Sequence, residues 1–140
     1  MKKIVISGSA KLSKELEHWN RWWQKSGFEV LYCPELIDSN VDFSKAYKET
    51  YEHFYKSLLN SDLLFLMNEN KNGQEGYIGA QTFAEASYAI TNNLIGNKKI
   101  IEVVILKMPS KEISCYQEIA IWLKLGWAVL FDERKSSGDN

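Results

Sequence analysis

Cysteine, net charge and long apolar runs are all in short supply in this sequence, and each shortage removes a class of protein. The two cysteines, Cys33 and Cys115, lie far apart and lack a metal-ligand spacing such as CxxC. They read as buried or free thiols of a reducing compartment. The formal net charge is -1, without the basic excess that a protein coating duplex nucleic acid needs to neutralise phosphates. Any nucleic-acid ligand is therefore expected to be small. No apolar segment approaches the ~20 residues of a membrane-spanning helix, so no membrane partner is expected. The opening MKKIVIS carries two lysines but too short an apolar run for a signal peptide, and is read as a first strand. A cytoplasmic protein is the expectation. Internal repeats and low-complexity segments are also missing.

What is present is the composition of an ordinary globular protein, 45% hydrophobic and 25% charged over 140 residues, enough for one domain with a proper core. Short β-branched or apolar runs, Ile4 to Ser7, Phe28 to Cys33, Asp62 to Met67, Ile100 to Leu106 and Trp127 to Phe131, read as strands. Between them lie helical patterns: one opening near Leu12 and closing near Gly27, then Phe43 to Asn60, Ala80 to Ile95 and Ile113 to Leu125. The expected apolar faces are Leu12, Leu16, Trp19 and Trp23 in the first helix and Phe43, Tyr47, Tyr51, Phe54 and Leu58 in the second. In the third they are Phe83, Ser87, Ile90 and Leu94. Either Asp42 or Ser44 is placed to cap the second helix. Strands alternating with helices predict a single α/β domain over residues 1–131, followed by a polar, frayed tail over 132–140. The predicted fold is a doubly wound, flavodoxin-like or Rossmann-like, five-stranded parallel sheet of order 2-1-3-4-5 with helices on both faces. In such a sheet a ligand sits at the carboxyl ends of the strands where the order reverses, between the first and third strands.

The stretch from Asp62 to Ala89 carries the strongest site signal: a buried strand, a mobile glycine-rich loop, and a helix with a carboxylate, Glu85, near its start. Its glycines Gly76 and Gly79 permit close approach to a ligand, and the helix N-terminus favours an anion. The loop from Glu69 to Gly79 exceeds the ~2 to 6 residues usual for a strand-to-helix connection, which favours a functional role. Tyr77 within it is placed either to stack on a base or to anchor the loop. The second candidate is SGSAK, Ser7 to Lys11. Ser7, Gly8, Ser9 and Lys11 offer hydroxyls, backbone N–H groups and a cation suited to a phosphate, although a plain tight turn has the same look. The segment has neither the P-loop nor the dinucleotide-fold glycine spacing. The two loops are expected to face each other across one crevice.

Glu85 has two readings of its own. It suits a catalytic carboxylate, acting as nucleophile or acid/base. Thr82-Phe83-Ala84-Glu85 also has the S/T-x-x-E spacing of a capping box, and the residue falls off the expected apolar stripe, as a solvated one would. His53 in the second helix is either a polar group near the crevice or a histidine at the edge of the core. Trp19, Trp22 and Trp23 exceed what one sheet face is expected to need, so part of that cluster is read as an oligomer contact.

ISGSAK after the first strand, SDLLFLMN for the third, and GYIGAQTFAEASYA after it together resemble the nucleoside 2-deoxyribosyltransferase superfamily, which includes the 2'-deoxynucleoside 5'-phosphate N-hydrolases. The resemblance implies that Glu85 is the nucleophile that attacks the anomeric carbon and that Gly8-Ser9-Ala10-Lys11 is the counterpart of a G-S-I-R loop holding a 5'-phosphate. It implies N-glycosidic cleavage or deoxyribosyl transfer on a nucleoside or nucleoside 5'-monophosphate, no cofactor, and a homo-oligomer, dimer or higher. It also leaves gaps. Val5 stands where the family usually has a tyrosine, and Phe54 where it has an aspartate assisting the leaving base; His53 is the neighbour placed to replace it. These departures keep open a catalytically inactive nucleotide-binding module, and the same glutamate chemistry would suit a related NAD-cleaving enzyme. A receiver-type signalling domain is set aside, because Ser7-Gly8-Ser9 stands where clustered carboxylates would be needed.

Overall fold

A computed structural model describes residues 1–96 and 99–136. Its elements run β1 (Lys3–Ser7), α1 (Ser13–Lys25), β2 (Glu29–Tyr32), α2 (Phe43–Leu59), β3 (Leu63–Leu66), α3 (Ala80–Ile95), β4 (Glu102–Ile105), α4 (Tyr116–Leu125), β5 (Val129–Leu130) and α5 (Glu133–Ser136). The strands form one parallel sheet in the order β2-β1-β3-β4-β5, the predicted doubly wound α/β arrangement. The first strand gains Lys3 at its start, and the other four expected strands are trimmed at their ends. Ile100 is 63% exposed and lies before β4, and β5 keeps only two residues at the open edge. Of the tail expected to be polar and frayed, Glu133–Ser136 forms a helical turn; residues 137–140 lie outside the described part.

Strand alternation divides the core in two. Val5, Leu64, Leu66, Val103 and Ile105 turn toward α2, α3 and α4, where Phe54, Leu58, Ala86, Ile90 and Ile119 meet them. Ile4, Ile6, Leu63, Phe65, Met67 and Val104 turn the other way, toward α1. This second face explains the tryptophans. One thirteen-residue helix must cover what three helices cover opposite, so its side chains have to be large. Trp23 is fully buried, with ring centroids 4.9 Å from Phe28 and 5.2 Å from Phe65, and Trp19 and Trp22 lie 5.2 and 5.1 Å from Phe131. Such edge-to-face clusters fill volume and add roughly 0.5–1.5 kcal/mol per pair beyond area burial. Trp23 is thereby a core residue, while Trp19 and Trp22 pack on that core and remain half-buried.

Two helices match their predicted faces only in part, at Phe54 and Leu58 of α2 and at Ile90 of α3. The buried residues of α2 are Phe54, Ser57 and Leu58, while Phe43, Tyr47 and Tyr51 stay exposed; Asp42 is the cap, its side chain accepting from the N–H groups of Ser44 and Lys45. In α3 the buried residues are Thr82, Glu85, Ala86, Ala89 and Ile90. Phe83 instead stacks sideways on Trp122 of α4, 5.0 Å between centroids, and Leu94 is exposed.

Candidate active site

β1 and β3 lie side by side at the centre of the sheet, and the segments leaving their carboxyl ends diverge to open a crevice of about 500 Å³. Gly8 makes this close pairing possible. A Cβ there would stand 2.9 Å from the Met67 carbonyl oxygen, so a side chain would force the two segments apart. Gly8, Ser9, Ala10 and Lys11 line one wall; Lys71, Tyr77, Gly79 and the first turns of α3 line the other. The two loops do face each other, as their positions after β1 and β3 required.

Glu85 lies at the bottom of the crevice with 6% of its surface exposed. The Ser7 hydroxyl donates to its Oε1 at 2.5 Å, and the Gln81 amide donates to its Oε2 at 3.5 Å. Among the described residues no cation lies within ion-pair distance of it. Burial therefore dominates and pushes the carboxyl up to about 7, against the two hydrogen bonds, which favour the charged form. The capping reading is removed by the same geometry. α3 begins at Ala80 with Gly79 as N-cap and no side-chain cap bond, so Thr82 is already inside the helix and Glu85 one turn further on. The solvated reading is removed by burial.

The glycine-rich loop is pinned rather than mobile. Asn68 donates to the carbonyls of Gly76 and Lys107 at 3.2 and 2.7 Å and accepts from the Lys107 N–H, tying the loop to the segment after β4. Asn70 accepts from the Gly76 N–H at 3.0 Å. Lys71 and Gln74 exchange backbone hydrogen bonds around Asn72 and Gly73, whose φ values of 51° and 77° close a two-residue reversal. The reversal presents the Lys71 ammonium, which donates to Ser9 Oγ at 2.9 Å and sits 4.7 Å from the centroid of the Tyr77 ring. Lys71 thereby bridges the two loops. Tyr77 lines the crevice and also packs on the core, so both of its expected roles have a basis in its position.

Gly8, Ser9, Lys11, Tyr77, Gly79 and Glu85 meet in the crevice; three other expected site residues stand elsewhere. Ser7 is fully buried and reaches the site only through Glu85. Gly76 packs away from the crevice, with a φ of +64° and no space for a Cβ, which would come 2.8 Å from Pro109 Cα. His53 is exposed and lines a neighbouring groove with Cys33, its ring edge-on to Tyr32 at 5.2 Å. It is not among the residues that line the crevice with Glu85.

Sequence reasoning missed Tyr32, Glu35, Lys71 and Gln81, all of which line the crevice. The signal for the first two was their place at and just after the end of β2, on the same carboxyl edge as SGSAK. Tyr32 is held neutral, its hydroxyl pushed up to about 12 by burial and then by the charges of Glu85, Cys33 and Glu35. The remaining wall is apolar: Leu36, Ile37, Phe43, Tyr47 and Phe54. One end of the crevice thus has Lys11, Lys71 and Ser9, the floor has a carboxylate without a counter-charge, and another wall is aromatic and aliphatic. Among the described residues no three His, Cys, Asp or Glu side chains converge as metal ligands. No helix among them is long and apolar enough to cross a membrane. No model of a known protein family matches the chain, and no curated protein matches it.

Proposed function

We propose that this protein cleaves the N-glycosidic bond of a nucleoside or nucleoside 5'-monophosphate, by hydrolysis or by deoxyribosyl transfer, with Glu85 as nucleophile. The observation that carries the reading is a buried carboxylate, free of any cation within ion-pair distance among the described residues, on the floor of a crevice at the switch point. A carboxylate denied both water and a counter-charge is costly to keep, and such groups cluster where chemistry is done. Oxocarbenium character at an anomeric carbon is what a carboxylate in that setting stabilises or traps. In this reading the sugar lies over Glu85, the base takes the aromatic wall of Phe43, Tyr47 and Phe54, and a 5'-phosphate takes Ser9, Lys11 and Lys71. The test is incubation with a panel of nucleosides and nucleotides, followed by chromatography for free base. Base release by the wild-type protein and none by Glu85→Ala is expected; no release from any substrate, or equal release by the variant, would refute the proposal.

A non-catalytic nucleotide-binding module is the second reading, and one observation favours it. Phe54, at the position where the resemblance expects an acid assisting the leaving base, lines the crevice with no proton to give. That reading expects saturable nucleotide binding that survives Glu85→Gln and yields no product. We also propose that the chain forms a homo-oligomer, supported by the exposed aromatic and aliphatic side chains of α2 and α3.

A further inference from the structure

The charged side chains that line the crevice are Lys11, Lys71, Glu35 and Glu85, and the two signs do not neutralise each other. Lys71 donates to Ser9 Oγ at 2.9 Å, and Lys11 follows in the same segment, so the ammonium groups belong to the SGSAK end. Among the described residues neither lysine stands within ion-pair distance of Glu35 or Glu85. Glu85 is 6% exposed on the floor, and Glu35 is exposed just beyond the end of β2. A buried carboxylate with no counter-charge is costly to keep. A cation carried by the ligand removes that cost.

The aromatic wall favours the same ligand. Phe43 and Tyr47 line the crevice and are 64% and 41% exposed, their rings 26° from parallel with centroids 6.1 Å apart. The face of an aromatic ring is the negative part of its quadrupole and attracts cations. Tyr77 already holds one, the Lys71 ammonium 4.7 Å from its centroid; among the described residues Phe43 and Tyr47 hold none. A neutral base gains only stacking from these rings. A flat cation gains from the rings and from Glu85 together.

We infer that the crevice selects a nucleoside 5'-monophosphate whose base is a heteroaromatic cation, a pyridinium or an N7-alkylated purine, over the same nucleotide with a neutral base. The inference rests on the N-glycosidic reading for its chemistry. The cation held against Glu85 favours the ionised carboxylate that the attack requires. In the first step a Glu85 carboxylate oxygen bonds to the anomeric carbon as the carbon–nitrogen bond breaks. The bonding pair goes to the ring and cancels its charge, so the base leaves neutral without taking a proton. That suits a wall in which Phe54 has none to give. In the second step a water oxygen bonds to the anomeric carbon while the glycosyl ester breaks, its pair returns to Glu85, and the water's proton passes to solvent.

Binding and cleavage are tested separately, because a cationic base is also an intrinsically better leaving group. Calorimetry compares the uncleavable carbocyclic analogue of nicotinamide mononucleotide with its dihydro form, which has nearly the same shape and a neutral ring. Wild type is expected to bind the cationic form ~10-fold or more tightly. Glu85→Gln should bring the two affinities close to parity, and Tyr47→Leu should narrow the gap by ~2- to 5-fold; binding of the neutral form by each variant shows that it is folded. Equal affinities in wild type, or a preference that Glu85→Gln leaves intact, would overturn the inference. For cleavage, nicotinamide mononucleotide and N7-methylguanosine 5'-monophosphate are followed for free base beside guanosine 5'-monophosphate, with spontaneous loss subtracted. Release from either cationic nucleotide supports the inference and tells the pyridinium from the purine. Release from neutral nucleotides alone overturns it and leaves the N-glycosidic reading in place. If nothing in the wider panel loses its base, that reading fails and takes this substrate assignment with it.

Discussion

Glu85 is held by a balance that can be tested with a single atom's change. Its carboxyl is pushed up to about 7 from the ordinary 4.5, burial outweighing the Ser7 and Gln81 hydrogen bonds. The folded protein therefore binds more protons than the unfolded chain between those two values, and stability falls as pH rises from about 4.5 to about 7. At 1.36 kcal/mol per pKa unit, the ionised side chain destabilises the fold by about 3 kcal/mol above pH 7, to order of magnitude. Glu85→Gln keeps the shape and an oxygen for the Ser7 hydroxyl but cannot ionise. Thermal melts should show the variant more stable than wild type at pH 8, by roughly 5 to 10 °C, with the gap closing toward pH 5. A gap independent of pH would mean that burial does not set this group. The same variant should release no base, because an amide is not a nucleophile toward the anomeric carbon. On the proposed reading, Glu85 weakens the fold at the place where it would serve chemistry, a trade common at active sites.

At the scale of elements, the strands and the glycine loop were legible in the sequence, while the rotation of α3 was not. Strands surrounded by helices are apolar on both faces, so runs such as Leu63 to Leu66 announce themselves. α3 faces the crevice with Thr82 and Glu85 and packs close to the sheet with Ala86 and Ala89. Small and polar residues on the buried side turn the apparent apolar stripe toward Phe83 and Leu94, and the capping-box spacing then offers a false explanation of Glu85. The site itself hid the helix phase. Lys71 and Glu35 were hidden for a different reason: each is an ordinary charged residue in a turn segment, and only the return of the chain to the carboxyl edge gives it a neighbour. The loop before α3 makes a prediction at this scale. Gly76 combines a φ of +64° with a Cβ position 2.9 Å from the Met108 carbonyl oxygen and 2.8 Å from Pro109 Cα. Gly76→Ala must strain the backbone and displace that contact, at a cost of about 1–3 kcal/mol, and it should loosen the Lys71–Ser9 bridge. Urea unfolding should report the loss. Substrate titration should report a rise in KM larger than the fall in kcat; an unchanged KM would show that the loop does not position substrate.

For the whole molecule, the two sheet faces offer the proposed second copy different surfaces. The α1 face is filled by large rings packed on one another, with Trp23, Phe28 and Phe65 buried and Trp19, Trp22 and Phe131 half-buried against them. On the opposite face α2 carries aromatic residues four apart, Phe43, Tyr47, Tyr51 and Tyr55, a row with centroid spacings of 4.8–6.1 Å that continues to Tyr88 of α3 at 5.1 Å. Tyr51 and Tyr88 are 45% and 43% exposed, and Leu94 and Ile95 at the end of α3 are 52% and 79% exposed. Hydroxyl-bearing rings beside aliphatic side chains suit a surface that is wet in the monomer and covered in an oligomer. A self-complementary contact across this face is expected to be two-fold symmetric, as most homo-oligomer contacts are. Sedimentation equilibrium should therefore find a dimer or higher form. The double substitution Tyr88→Glu and Leu94→Lys should dissociate it, while Trp22→Phe, on the other face, should leave assembly unchanged. A wild-type protein that stays monomeric at the highest soluble concentration would remove the proposed oligomer. Because Phe43 and Tyr47 of the same aromatic row also line the crevice, dissociation should further weaken nucleotide binding if the partner helps hold that wall in place. Equal affinity in the dissociated variant would confine the site to a single chain.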